Sequence, residues 1–153
     1  MSEEYSDLLI TAGLSADAAA AKTPLFAEAV RVLEANGGAG HSPLALFGPG
    51  RVEGLGKHTD YAGGRSLCCA IERGICVLAV PRTDCRLRIR DVRSGEVVRS
   101  AVDAGARSEP GTWGNYVTTV ARRIARNFPG PLLGGEIAFA SDLPAAEGMS
   151  SSS

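Results

Sequence analysis

The sequence predicts an α+β or mixed α/β fold, on three observations. Strand-like segments outnumber helices early in the chain. The helical segments come in blocks and do not alternate one for one with strands, which argues against a repeated βαβ ladder. Asp84–Val92 alternates with the period of a strand, whereas 113–127 repeats its apolar residues with the period of a helix.

The elements follow in order. Residues 3–13 read as a short helix, and Ser15 as the cap of another short turn. Pro24 suits a first helical position, with Leu25, Ala29, Val32 and Leu33 on one face behind it. Asn36, Gly37 and Gly38 end that helix. An apolar strand follows at Leu44–Phe47, then a glycine-rich polar stretch from Gly48 to Gly64. Two strands are expected at 66–71 and 74–80, separated by Glu72 and Arg73. In the next strand Leu87 and Ile89 face one side. Arg86, Arg88 and Arg90 face the other, read as a solvated row. Ser94-Gly95 turns the chain into a strand at 96–101. In the helix at 113–127, Trp113, Tyr116, Val117, Val120 and Ile124 share a face. Pro129 and Gly130 stop it, and Glu136–Ala140 is the last strand.

Bulk properties narrow the function. The 153 residues suffice for one domain, and 44% of them are apolar. A net charge of -1 gives no basic excess for nucleic acid or an anionic membrane. No apolar run approaches the roughly 20 residues of a membrane span, and Met-Ser-Glu-Glu-Tyr lacks the form of a signal peptide. A cytoplasmic protein is expected; the oligomeric state is not legible. Cys68, Cys69, Cys76 and Cys85 match no zinc or redox spacing. The first three lie in strand-like sequence and read as reduced, buried thiols.

Two apparent nucleotide motifs fail. Gly50–Lys57 is one residue too long for a Walker loop, and His58 stands where a metal-binding hydroxyl is needed. Glu53 occupies the third glycine position of a dinucleotide pattern. The run Pro49-Gly50-Arg51-Val52-Glu53-Gly54-Leu55-Gly56-Lys57-His58-Thr59-Asp60-Tyr61 is different. It gathers Arg, Glu, Lys, His, Asp and Tyr in one glycine-punctuated stretch, the donor and acceptor mixture that a polyhydroxylated ligand needs. A solvated surface loop is the plain alternative. At the other end, Gly148 and Ser150–Ser153 follow a strand, as in a loop whose N–H groups and hydroxyls cradle phosphate. The chain is expected to stop inside that loop and to carry only part of an active site.

The Pro49–Tyr61 run resembles, residue for residue, the signature Pro-Gly-Arg-Val-Asn-Leu-Ile-Gly-Glu-His-Thr-Asp-Tyr of galactokinases, in the GHMP small-molecule kinase superfamily. Trp113-Gly114-Asn115-Tyr116-Val117 resembles the family's Trp-x-Asn-Tyr-Val helix start. Ser141–Ser152 resembles its phosphate loop. The resemblance implies a mixed β-sheet packed against helices, of the GHMP N-terminal domain type. It implies that residues 1–153 are that domain, cut at the phosphate loop and lacking the C-terminal domain. It implies ATP- and Mg2+-dependent phosphorylation of a sugar at its anomeric hydroxyl. Arg51 would be catalytic and lie near the transferring phosphoryl; His58 and Asp60 fall on sugar-binding positions. Gly148, Ser150, Ser151 and Ser152 would hold the ATP phosphates, with Ser152 on magnesium. Trp113 and Tyr116 would wall the adenine pocket, unless their spacing marks only a buried helix face. Family relatives that bind sugar and ATP without turnover supply an alternative, a non-catalytic regulator.

The departures are Glu53, Gly54 and Lys57 in the first motif, and Ala146 and Glu147 in the last. Lys57 is one of two lysines against fourteen arginines. It replaces a family glutamate near the outer hydroxyls of the sugar. The substitution suggests an anionic substrate such as a hexuronic acid; pairing with Glu53 or Asp60 is the other reading.

Overall fold

The computed structural model describes residues 2–38, 40–56, 60–107, 110–128, 130 and 132–144; of residues 2–4 and 60 it describes the backbone only. The elements run α1 (Ser2–Thr11), α2 (Ala16–Leu33), β1 (Leu44–Leu55), β2 (Leu67–Arg82), β3 (Arg86–Asp91), β4 (Val97–Ala101), α3 (Gly114–Asn127) and β5 (Gly134–Ser141). The strands hydrogen-bond in the order β1-β2-β5-β3-β4. β3 pairs antiparallel with β4 and parallel with β5, so the sheet is mixed, as expected. The chain forms two compact units. The first comprises the described residues of 1–23, 47–75 and 141–153, the second those of 24–46 and 76–140.

In the first unit, Ser15 caps α2. Its Oγ accepts the Ala18 N–H at 3.3 Å, and its own N–H donates to Glu72 Oε1 at 2.6 Å. The helix does not begin at Pro24; it begins at Ala16 and runs through the proline. Proline removes the hydrogen bond to the carbonyl four residues back. Here both Pro24 and Ala20 are exposed, so water can take that carbonyl.

The glycine-rich motif is also not loop from Gly48 on, because β1 continues to Leu55. A Cβ on Gly48 would lie 4.0 Å from the Ile75 carbonyl, and one on Gly54 3.8 Å from that of Leu67. β1 and β2 therefore run antiparallel. β2 is one strand, not two. Glu72 is held by Ser15, and Gly74 is pressed so tightly that a Cβ there would come within 2.7 Å of the Phe47 ring. Gly74 marks close backbone approach, not a turn. Leu9, Ala19 and Leu143 are buried in this unit.

In the second unit, α2 ends where expected: Gly37 takes φ +107° after Asn36. Phe26, Ala29, Leu33, Cys76, Leu78, Val80, Ala121, Ala138 and Ala140 form the core. α3 packs against β4, and Trp113 at its start meets Phe139 edge-on, with ring centroids 5.8 Å apart. Among the cysteines only Cys76 is buried; Cys68, Cys69 and Cys85 are exposed, and none of the four is in a disulfide. The expectation for Cys68 and Cys69 fails because β1–β2 leaves that part of its surface uncovered.

The Ser15–Glu72 contact makes stability depend on pH. Accepting the Ser15 N–H holds the Glu72 carboxyl below its usual 4.5. Its contribution is present above that value and is lost as pH falls through the lowered one. We predict that Glu72→Gln lowers the urea midpoint relative to the parent at pH 6. The gap should close as both proteins are taken well below pH 4.5. A gap that does not change with pH would contradict this.

Candidate functional site

The site begins with a lysine where an apolar residue is expected. Buried Ala19, Lys22, Phe26, Ala29 and Leu33 recur every three or four residues along α2. Lys22 therefore sits inside the helix's buried stripe, 2% exposed. Such a charge needs a partner. Lys22 Nζ donates to Asp142 Oδ2 at 2.5 Å and lies 5.9 Å from the Phe47 ring centre. The second carboxylate oxygen, Asp142 Oδ1, accepts the Gly74 N–H at 2.7 Å. The Gly74 carbonyl in turn accepts Ser141 Oγ–H at 3.1 Å and the Asp142 N–H at 3.3 Å. Asp142 thus extends the pairing of β2 past the end of β5 with side-chain bonds. Sequence reading missed both residues, although a lysine within a helical apolar stripe was a usable signal.

One residue on, Leu143 is buried and its backbone N–H donates to Ser141 Oγ at 3.1 Å. A Cβ on Gly50 would come 2.6 Å from Leu143 Cδ2 and 3.2 Å from the Arg73 carbonyl, so a larger residue would push the Leu143 side chain aside. The chain leaving β5 therefore lies on β1 beside Arg51. Arg51 is exposed and has no ion-pair or hydrogen-bond partner among the described residues. Lys57, His58, Gly148, Ser150, Ser151 and Ser152 lie outside the described residues. Asp60 opens a single 3-10 turn, Asp60–Ala62.

Trp113 and Tyr116 belong to the second unit. Trp113 Nε1 donates to Glu96 Oε2 at 2.8 Å. The indole borders a cleft of about 540 Å³ with Glu96, Val98, Arg99, Arg107 and Thr118. Tyr116 is 52% exposed and opens on another cavity, an apolar groove of about 470 Å³ with Leu87, Val120, Ile124 and Leu133. The arginine row of β3 is solvated only at Arg86, which is exposed. Arg82, Arg88 and Arg90 converge on Glu136, which is 2% exposed, at 3.2, 3.5 and 3.8 Å. The buried carboxylate draws them inward. Arg82 also clamps Asp84 at 2.6 Å, and that hydrogen bond pushes the Asp84 carboxyl down to about 2. Among the described residues, no three His, Cys, Asp or Glu side chains group as metal ligands. No helix among them is long and apolar enough to cross a membrane.

Residues 38–81 match the galactokinase galactose-binding signature. The galactokinase of Glaesserella parasuis is 34% identical over 111 residues, covering 72% of this chain and 29% of that protein. That of Chloroflexus aurantiacus is 36% identical over 115 residues, covering 74% and 29%. The chain thus spans less than a third of the length of these curated relatives. Lactococcus lactis galactokinase, solved in complex with galactose, superposes with a TM-score of 0.68 at 26% identity, over 80% of this chain and 32% of that one. Methanococcus jannaschii mevalonate kinase gives 0.58 at 15% identity, over 73% and 36%, a likeness of fold alone. The chain is galactokinase-like and has the fold of the GHMP kinases.

The Lys22–Asp142 pair predicts an unequal pair of mutants. Asp142→Asn leaves an ammonium that is 2% exposed without its counter-charge, whereas Lys22→Met leaves a carboxylate that is 28% exposed and reaches water. Breaking a buried pair costs about 3–5 kcal/mol. We expect Asp142→Asn to lose an amount in that range and Lys22→Met clearly less, by urea denaturation. Equal losses, or the reverse order, would show that the pair is not as buried as described.

Proposed function

We propose that this protein is a sugar kinase that transfers phosphoryl from ATP to the anomeric hydroxyl of galactose or a related sugar. One contact carries the reading: Leu143 fills the space over Gly50. It makes neighbours of the arginine-bearing strand and the chain that enters the serine run. Phosphoryl transfer needs that neighbourhood, because a fixed positive charge must stand where negative charge develops. Arg51 is the residue we assign to it, being exposed and unpaired among the described residues.

In this reading the Gly148 backbone and the hydroxyls of Ser150, Ser151 and Ser152 hold the ATP phosphates. The Ser152 hydroxyl is a hard oxygen donor of the type magnesium takes. Magnesium-bound ATP supplies the phosphoryl group. Trp113 and Tyr116 offer aromatic surface to the adenine. His58 and Asp60 hydrogen-bond the sugar hydroxyls, and Lys57 faces an anionic group such as the carboxylate of a hexuronic acid. Residues 1–153 supply the N-terminal kinase domain, with the catalytic base and second metal ligand coming from outside them.

Sugar-dependent ADP release by the full protein tests the proposal. Turnover is expected, and Arg51→Ala should lower kcat by about 10²–10³. Galacturonate should be preferred over galactose, and Lys57→Glu should reverse the preference by one to two decades, the value of about 1.5–3 kcal/mol for a charge-assisted contact. Sugar and ATP binding without ADP release would show a regulator instead of a kinase. A galactose preference that survives Lys57→Glu would end the hexuronate assignment.

A further inference from the structure

Glu136 explains some of the arginines around it but not all. The register places Arg88 of β3 directly opposite Arg99 of β4 on one side and Glu136 of β5 on the other. Arg86 and Arg90 flank Arg88 on the same face, two residues away in each direction. Arg82 joins them from the end of β2 through Glu136. Five guanidiniums thus surround two carboxylates, Glu136 and Asp84, an excess of three positive charges.

Two of the five, Arg86 and Arg99, make no ion pair among the described residues. Like charges directly opposed across strands destabilise a sheet, yet Arg88 and Arg99 stand in that relation. A cavity of about 440 Å³ opens over Arg82, Arg86, Arg88 and Arg99, with Ser100 and Ala101 on its wall. A counter-ion role for Glu136 accounts for Arg82, Arg88 and Arg90 only.

We propose that this arginine cavity binds a phosphomonoester of monosaccharide size. Guanidinium forks match phosphate oxygens two at a time and stay charged at every working pH. The two unpaired arginines supply the charge that a phosphate dianion needs, and Glu136 holds the remaining guanidiniums in place. The volume falls within the range of small-molecule sites. The assignment does not depend on the kinase reading.

The test is calorimetric titration of this chain with glucose 6-phosphate, inorganic phosphate and glucose at fixed ionic strength. Glucose 6-phosphate and phosphate should bind with an affinity that falls as salt rises, and glucose should not bind. The double variant Arg86→Gln/Arg99→Gln should lose at least about tenfold in affinity for glucose 6-phosphate, the loss expected for a charge-assisted contact. In phosphate-free buffer it should melt no lower than the parent, because it removes opposed like charges. Glucose 6-phosphate binding that survives the double substitution lies elsewhere, for example on the serine run, and overturns the proposal. So does a lowered melting temperature, which would give Arg86 and Arg99 a structural role. A third variant, Arg51→Ala, separates the two readings: it should leave this binding intact even where it abolishes kinase turnover.

Discussion

The carboxylate of Asp142 is the constraint on which the first unit depends. One oxygen takes the buried ammonium of Lys22, the other the N–H of Gly74. Both carboxylate oxygens are engaged, so the path of the chain beyond β5 follows from two bonds to one residue. Leu143 is then delivered onto β1, into the space that Gly50 leaves open. The buried lysine is a weak argument for stability as such, since an apolar residue of similar volume does about as well. Its value is positional, because an apolar residue could not hold Asp142.

The second unit treats a buried charge in another way. Glu136 lies in the same kind of surroundings as Lys22, yet it is met by three guanidiniums at 3.2–3.8 Å and not by one short bond. Its Oε1 and the Arg90 Nε remain without hydrogen-bond partners among the described residues. Asp142 sits in a closer arrangement, with each carboxylate oxygen accepting one bond. The arginine cluster is open, with more positive charge than the described residues neutralise. The first pattern suits a fixed support and the second a place where an anion completes the set.

Much of this was legible in the sequence. The α3 stripe and the alternation of β3 are strong periodic signals, and both elements lie within a residue or two of expectation at most ends. The Pro49–Tyr61 run was legible because its residue order is specific. What failed did so for physical reasons. Pro24 was read as a helix start because a local rule cannot see that its lost hydrogen bond falls on an exposed face. Gly48 and Gly50 were read as loop, although they lie in β1, and Glu72-Arg73 as a break, although β2 runs through it past a tightly packed Gly74. Cys68 and Cys69 were placed inside because apolar strand sequence does not say whether anything covers it. The arginine row looked solvated because its carboxylate lies on another strand, 46 or more residues away. The link between Lys22 and Asp142 spans 120 positions, and no local pattern announces it.

The most direct test of the central claim is amide hydrogen exchange at Gly74, followed by NMR in the parent and in Asp142→Ala. If the Asp142 carboxylate holds that N–H, Gly74 exchanges in the parent as slowly as the core of its strand. In the variant it exchanges fast, while amides of β3 and β4 keep their protection. A Gly74 amide that exchanges rapidly in the parent, or one indifferent to loss of the carboxylate, would contradict the account.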